Sequence, residues 1–373
     1  GVFVDFASGN WCEGLTSYLA DQLVAEQRGQ GADYRRSLLQ RYTDYVSPED
    51  DFPLTEFRSR YSPATEAVGY GKNAMVWEML RTKVGDDAFV AAFRRFYDDN
   101  AFRIAGYDDI RKAFEAETGK NLSGFFRQWI ERPGAPQLEL RDVAVKPLRR
   151  GFELSFDLTQ IQDGPAYDLD VPLAVMTPEG PRTYTVSMNR ASQSFDLIVD
   201  AEPAKVVVDP QFNLFRRLHH NEIPPALSKA FGAERILFVM PSAASAAETA
   251  RYERLVELWS RNREDAVEVI ADSDLDAIPG DKAVWILGWN NAWRGTVAEG
   301  LDGLDAALAD DAVRLGTQSL AAADHSVVVA IRNPVDPAMA AIWLTAVDEA
   351  AVDGLATKLP HYGKYSYLAF SGE

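Results

Sequence analysis

Gly9-Asn10-Trp11-Cys12-Glu13-Gly14-Leu15-Thr16-Ser17-Tyr18-Leu19 reads as the opening of a helix. With Leu23 added, Leu15, Tyr18 and Leu19 form one bulky apolar stripe at helical spacing. Glu13 falls on the far side, among Thr16, Ser17 and Ala20. A carboxylate on a face of small residues lets a second helix come close and bring polar groups of its own. The plainer reading is an exposed first-turn Glu favoured by the helix dipole. Helix geometry alone leaves both open.

Outward from this segment the helical pattern continues to about residue 136. Trp11 to Val24 is followed by loops containing Gly and Asp, and a second helix is predicted from Asn73 to Val84, stopped by Gly85. Its successor starts on Asp86 and carries Phe89, Ala92, Phe93, Phe96 and Tyr97 as an amphipathic stripe. Asp108 and Ser123 are candidate caps for two more helices, the second packing Phe125, Phe126, Trp129 and Ile130. The aromatic density reads as core. Pro133-Gly134-Ala135-Pro136 then ends the run.

The period changes to two at 137. Phe152, Leu154, Phe156 and Leu158 alternate with Glu153, Ser155, Asp157 and Thr159, and three further segments repeat the pattern between Gly- and Pro-containing turns. Short strands at this spacing predict a small antiparallel β-sandwich over 137–221. From 222, past Pro224-Pro225, short apolar runs at 236–240, 267–270, 284–287, 327–331 and 365–370 alternate with helical stretches, the clearest being Ala246 to Arg261. That alternation predicts an α/β domain over 222–373 with a mainly parallel sheet. The expected fold class is therefore multidomain α+β.

Composition excludes several functions. The 373 residues carry 38 Lys+Arg against 56 Asp+Glu, a net charge of −18, which repels nucleic-acid backbones and anionic lipid. At 47% hydrophobic and 25% charged residues the chain is not broadly disordered. The longest mainly apolar run, Ala338 to Val347, is half of what a bilayer span needs, about 20 residues. The single Cys12 rules out an internal disulfide framework and any multi-cysteine zinc module. The start has no basic region, no long apolar stretch and no initiator Met, so the sequence reads as a piece of a longer polypeptide. Its compartment stays open, exported or cytoplasmic.

Three segments in series resemble one family. The stretch Trp11 to Tyr18 is similar to the W-x-E-G-[FL]-[AT]-x-Y helix of the gluzincin zinc metallopeptidases, aminopeptidase N-like branch, with Cys12 in place of the usual Asn. Gly69-Tyr70-Gly71-Lys72-Asn73 resembles the family's Y-x-K-G box, with Asn73 in place of Gly; Tyr70 lies 57 positions after Glu13. Thr118-Gly119 to Trp129, followed by Pro133-Gly134-Ala135-Pro136-Gln137-Leu138, is similar to T-G-x-x-L-x-x-F-F-x-Q-W…P-G-x-P-x-L. The resemblance covers residues 1 to about 140. It implies that Glu13 is a zinc ligand, that Tyr70 is the catalytic tyrosine, and that 1–136 is the helical part of a metallopeptidase catalytic domain.

The family's H-E-x-x-H motif, two His ligands with a Glu base, is absent; the four His are His219, His220, His325 and His361. In the family the second His lies about nineteen positions before the ligand Glu, which falls before Gly1. The resemblance thus implies a zinc aminopeptidase acting on N-terminal peptide bonds, whose remaining ligands come from a missing N-terminal part of the same polypeptide. The piece alone is expected to be inactive. The competing reading is a non-catalytic binding or scaffolding protein acting through the α/β domain. Weaker candidates are His219-His220 beside Arg216-Arg217, read as a solvated linker, and Pro360 to Tyr365, read as a structural loop or an interaction surface. Ser242 lies between strand and helix, where an anion could sit on backbone N–H groups. Without a glycine-rich phosphate motif, no nucleotide is expected there.

Overall fold

The computed structural model describes residues 1–261 and 264–371. It is mixed α+β with several sheets and divides into two compact units, Gly1–Leu218 and His219–Glu373. No helix among the described residues is long and apolar enough to cross a membrane.

The first unit opens with helices. One runs without a break over 11–27, but its middle, Ser17–Gln22, is π-helical. A π turn adds one residue, and one extra residue rotates everything downstream by about 100° on the helix surface. The expected stripe is therefore only partly buried: Tyr18 goes into the core as expected and Gln22 joins it, Leu15 and Leu23 are half-buried, and Leu19 is 47% exposed. The next element, Gly31–Tyr45, is a helix where loops were expected. Its inward positions include Arg35, Gln40 and Asp44, so it shows no apolar period to read.

A third helix spans 63–84, again with a π-helical middle, Ala67–Lys72. It starts ten residues earlier than expected, on a Ser62–Thr65 capping box with Pro63 in the first turn. Tyr70 is thus inside a helix and not at its lip. The stripe expected after Asp86 forms the helix Asp86–Asn100, whose Phe89 and Phe93 stack edge-on against Phe114 of Tyr107–Thr118. The caps differ from expectation: Asp109, not Asp108, accepts the Gly106 N–H, and Leu122 rather than Ser123 occupies the cap position of Ser123–Trp129.

Two three-stranded antiparallel sheets follow in the same unit. Leu138–Pro147, Phe152–Gln160 and Ser192–Val199 form one; Gly180–Met188, Leu169–Thr177 and Lys205–Val208 form the other. Leu154, Phe156 and Leu158 are buried, as are Leu169, Val171, Leu173 and Val175, while the intervening residues are wetter.

The second unit is built on a six-stranded sheet. Val267–Ala271, Ile236–Met240, Ala283–Leu287 and Ala340–Thr345 are parallel; His325–Arg332 and Tyr367–Ser371 complete it antiparallel. Successive residues feed two cores. Phe238, Trp285 and Ile342 pack with Tyr252, Leu255 and Val352 of the helices on one face. Val239, Ile286 and Trp343 pack on the other with Val297, Leu301 and Val313. Val313 belongs to a three-stranded antiparallel sheet over 306–321 that was not expected.

Candidate functional site

The start of the first helix is pinned from three directions. Asn10 receives the helix onto the 57–58 segment, its backbone N–H donating to Phe57 O at 2.9 Å and its Nδ2 to Arg58 O at 2.9 Å. Trp11 Nε1 donates to Ala105 O at 2.8 Å. Glu13 follows two residues later, half-buried, and its direction is fixed by these ties.

The helix 63–84 brings Tyr70 against Glu13. The phenol and the Glu13 carboxylate line one cavity, and the phenol pKa is raised, chiefly by desolvation and next by that carboxylate. At neutral pH it is therefore a protonated donor. Phe57 meets its ring edge-on at 5.8 Å, and the Arg60 guanidinium lies 5.6 Å from its centre. Both partners sit on cavity-facing portions of helices that are π-helical or adjoin π turns, a feature frequent at functional sites.

Between the helices is a cavity of about 340 Å³, lined among others by Glu13, Ser17, Asp21, Arg41, Arg60 and Tyr70. Glu66 bridges the two arginines, one carboxylate oxygen 2.7 Å from Arg41 and the other 3.3 Å from Arg60. Glu13 and Tyr70, singled out in the sequence, line this cavity together; Arg41, Arg60 and Glu66, from segments read as loop, were not anticipated there. Chemically, the site offers a carboxylate able to ligate a cation and a phenol able to donate to a developing anion, with guanidinium charge close by. A larger cavity, about 520 Å³, is lined by Lys83, Lys120, Phe125, Trp129 and Asp170. Its lysines are already engaged, Lys83 with Asp170 at 3.2 Å and Lys120 with Lys83 O at 3.0 Å.

Zinc requires about three protein ligands and an open position. Among the described residues no group of three or more His, Cys, Asp or Glu is placed to hold a metal ion. Glu13 fits as one ligand, and the residues around it do not complete a site.

Asn73, where the resembling family has Gly, has a physical explanation here. A Cβ on Gly14 would lie 2.2 Å from the Asn73 side chain, so the amide occupies the space that Gly14 leaves, and its Nδ2 donates to Asn10 O at 3.3 Å. Gly14→Ala should therefore destabilise the protein by about 1–3 kcal/mol, the usual cost of overpacking. Asn73→Gly in the same chain should recover most of that loss. A double-mutant cycle in urea reads the coupling, and strict additivity would separate the two residues.

Lys72 faces the opposite way, wholly buried, donating to Arg132 O at 2.9 Å and Gly134 O at 3.2 Å. Burial pulls its pKa down to about 8 from 10.5. Between those values the unfolded chain keeps a proton that the folded chain has shed, so stability from this group rises with pH across the window. Compared with Lys72→Met, the wild type should gain on the order of 1 kcal/mol per pH unit between about pH 8 and 10. Urea midpoints of both proteins at about pH 8 and about pH 10 check the sign.

Two of the weaker candidates have local hydrogen-bond partners and the third lies in a turn. His219 caps the short turn His220–Glu222, its Nδ1 accepting the Asn221 N–H while Glu222 accepts the His219 N–H at 2.8 Å. Pro360 and His361 lie in the turn Leu359–Tyr362. The Ser242 N–H is taken by Asp272 at 2.9 Å.

No family model matches the chain. Aminopeptidase N of Lactococcus lactis subsp. lactis is 30% identical over 70 residues, which is 19% of this chain and 8% of that protein. Tricorn protease-interacting factor F2 of Thermoplasma acidophilum is 26% identical over 138 residues, 36% of this chain and 16% of that protein. Among solved structures, Legionella pneumophila aminopeptidase A in complex with aspartic acid aligns over 61% of this chain and 26% of its own, with 17% identity and a TM-score of 0.41. The chain thus matches only a small part of the length of each curated relative.

Proposed function

We propose that Gly1–Leu218 carries part of the catalytic site of a zinc aminopeptidase hydrolysing N-terminal peptide bonds. Glu13 serves as one zinc ligand and Tyr70 as the donor to the oxyanion, while two His ligands come from outside these 373 residues. The observation that carries the reading is the meeting of Glu13 and Tyr70. They come from separate helices and line one cavity, where the carboxylate contributes to raising the phenol pKa. The partial similarity to proteins named as aminopeptidases supports the same lineage. Zinc, when bound, would supply Lewis-acid activation of water. This chain's own contribution is a ligating carboxylate, a protonated phenol, and helices that hold the two in register.

The test is metal content. These 373 residues alone should retain no stoichiometric zinc after dialysis, because one carboxylate is a poor site. Joined to the segment supplying the His ligands, the protein should hold about one zinc, and Glu13→Ala should lose zinc and activity together. Full zinc at unchanged affinity in Glu13→Ala would remove Glu13 from the ligand set and the assignment with it.

A further inference from the structure

The second unit has a crevice where a ligand would ordinarily enter. Its four parallel strands end on the same side, and the chain leaves two neighbouring strands in opposite directions. Ile236–Met240 leads through Ala246–Ser260 to the edge strand Val267–Ala271, whereas Ala283–Leu287 leads towards the other half of the sheet. In open α/β sheets, phosphate-bearing ligands bind at such a point, on backbone N–H groups of the two departing loops.

Here those N–H groups are engaged from within. Asp272, the residue after the edge strand, accepts the Ser242 N–H on Oδ1 at 2.9 Å and the Ala292 N–H on Oδ2 at 2.7 Å. The first donor follows one strand and the second follows the other. Asn291 closes the floor: its Nδ2 donates to Val239 O and to Leu287 O, both at 2.9 Å, and its Oδ1 accepts the Trp293 N–H. Both side chains are only 4% exposed. The loops themselves are in close approach, since a Cβ on Gly288 would lie 2.9 Å from the Pro241 ring.

We propose that Asp272 is the built-in occupant of an anion cradle at this switch point, so that no phosphate-bearing ligand enters it in the native chain. The cradle recognises a small oxyanion: two converging N–H donors from separate loops, filled by a carboxylate tethered to the third strand end. The hydrogen bonds also hold the Asp272 carboxyl below the ordinary carboxylate range against the opposing effect of burial, as they would a bound anion. The geometry gives this unit a self-sealed crevice.

Asp272→Ala in the full chain vacates the cradle. Amide exchange at Ser242 and Ala292 should then accelerate at least about tenfold, the change expected when one hydrogen bond to a charged acceptor is lost. Sodium formate should restore protection, and sodium chloride at equal ionic strength should not. Faster exchange with no formate response would overturn the proposal. Should Asp272→Ala fail to fold, the wild type titrated with inorganic phosphate, ATP and NAD decides it. Unchanged exchange at the two amides upholds the sealed crevice, and saturable protection or displacement at either sinks it.

Discussion

If the proposed function holds, Tyr70→Phe should lower kcat of the zinc-loaded protein by about 10²–10³, with KM nearly unchanged. The phenol lines the cavity wall with Glu13 and remains protonated at neutral pH, because desolvation and the carboxylate both raise its pKa. A donor so placed strengthens its hydrogen bond as negative charge develops on the carbonyl oxygen of a substrate, and its loss acts mainly on the transition state. Removing one such donor typically costs about 2.7–4 kcal/mol. The substitution leaves the rest in place: the ring keeps its edge contact with Phe57 and its position under Arg60, so fold and zinc content should not change. A tyrosine without a catalytic part would show less than about a threefold change in kcat, or a stability loss that accounts for the activity loss. Steady-state kinetics with zinc analysis and melting curves on the same preparations separate these results.

The sequence makes some elements legible and hides others for identifiable reasons. Five strands of the six-stranded sheet stand out because their apolar runs are short and separated by helical stretches, whereas Ala340–Thr345 and the strands over 306–321 were not anticipated. Asp86–Asn100 stands out because its buried residues recur at helical spacing. Gly31–Tyr45 is hidden because it buries Arg35 and Asp44, and Arg35 Nε donates to Gln211 O, far along the chain. The two π turns leave no apolar pattern either. In the first of them Gln22 is buried beside Tyr18 while Leu19, expected inward, is exposed. One signal was available and would have placed Tyr70 correctly: Ser62-Pro63-Ala64-Thr65 is a helix start in its own right. Starting the helix at Pro63 puts Glu66 and Tyr70 four positions apart on one face and exposes the Arg41–Glu66–Arg60 bridge as part of the site.

Glu78→Ala should destabilise the first unit by about 3–5 kcal/mol, the usual result of removing one member of a buried ion pair. Glu78 sits two turns beyond Tyr70 on the same helix, where three helices meet. Its Oε1 is 3.3 Å from Arg35 Nη1, and its Oε2 accepts both the Tyr18 hydroxyl and Gln22 Nε2 at 2.9 Å. Burial raises the Glu78 pKa and the Arg35 guanidinium opposes that rise, so the pair is tied to its surroundings and not to solvent. Truncation leaves the buried guanidinium of Arg35 with only the longer contact to Glu26, at 3.7 Å, and removes the acceptor of two further donors. For a unit of this size the loss corresponds to a fall in Tm of about 10 °C. Glu78→Gln keeps an acceptor but no charge and should fall between the wild type and Glu78→Ala in urea midpoint. The same carboxylate has a second consequence for the site, because Tyr18 and Gln22 both belong to the π-helical turn Ser17–Gln22. An ordinary α-turn would rotate Gln22 away from Glu78 by about 100° and would carry Asp21, a wall of the cavity, with it. Amide exchange over 17–22 should therefore accelerate in Glu78→Ala under conditions where the unit is still folded. If stability drops by less than about 1 kcal/mol and that segment keeps its protection, packing alone holds the π turn and the carboxylate is not what sets the register of the helix bearing Glu13.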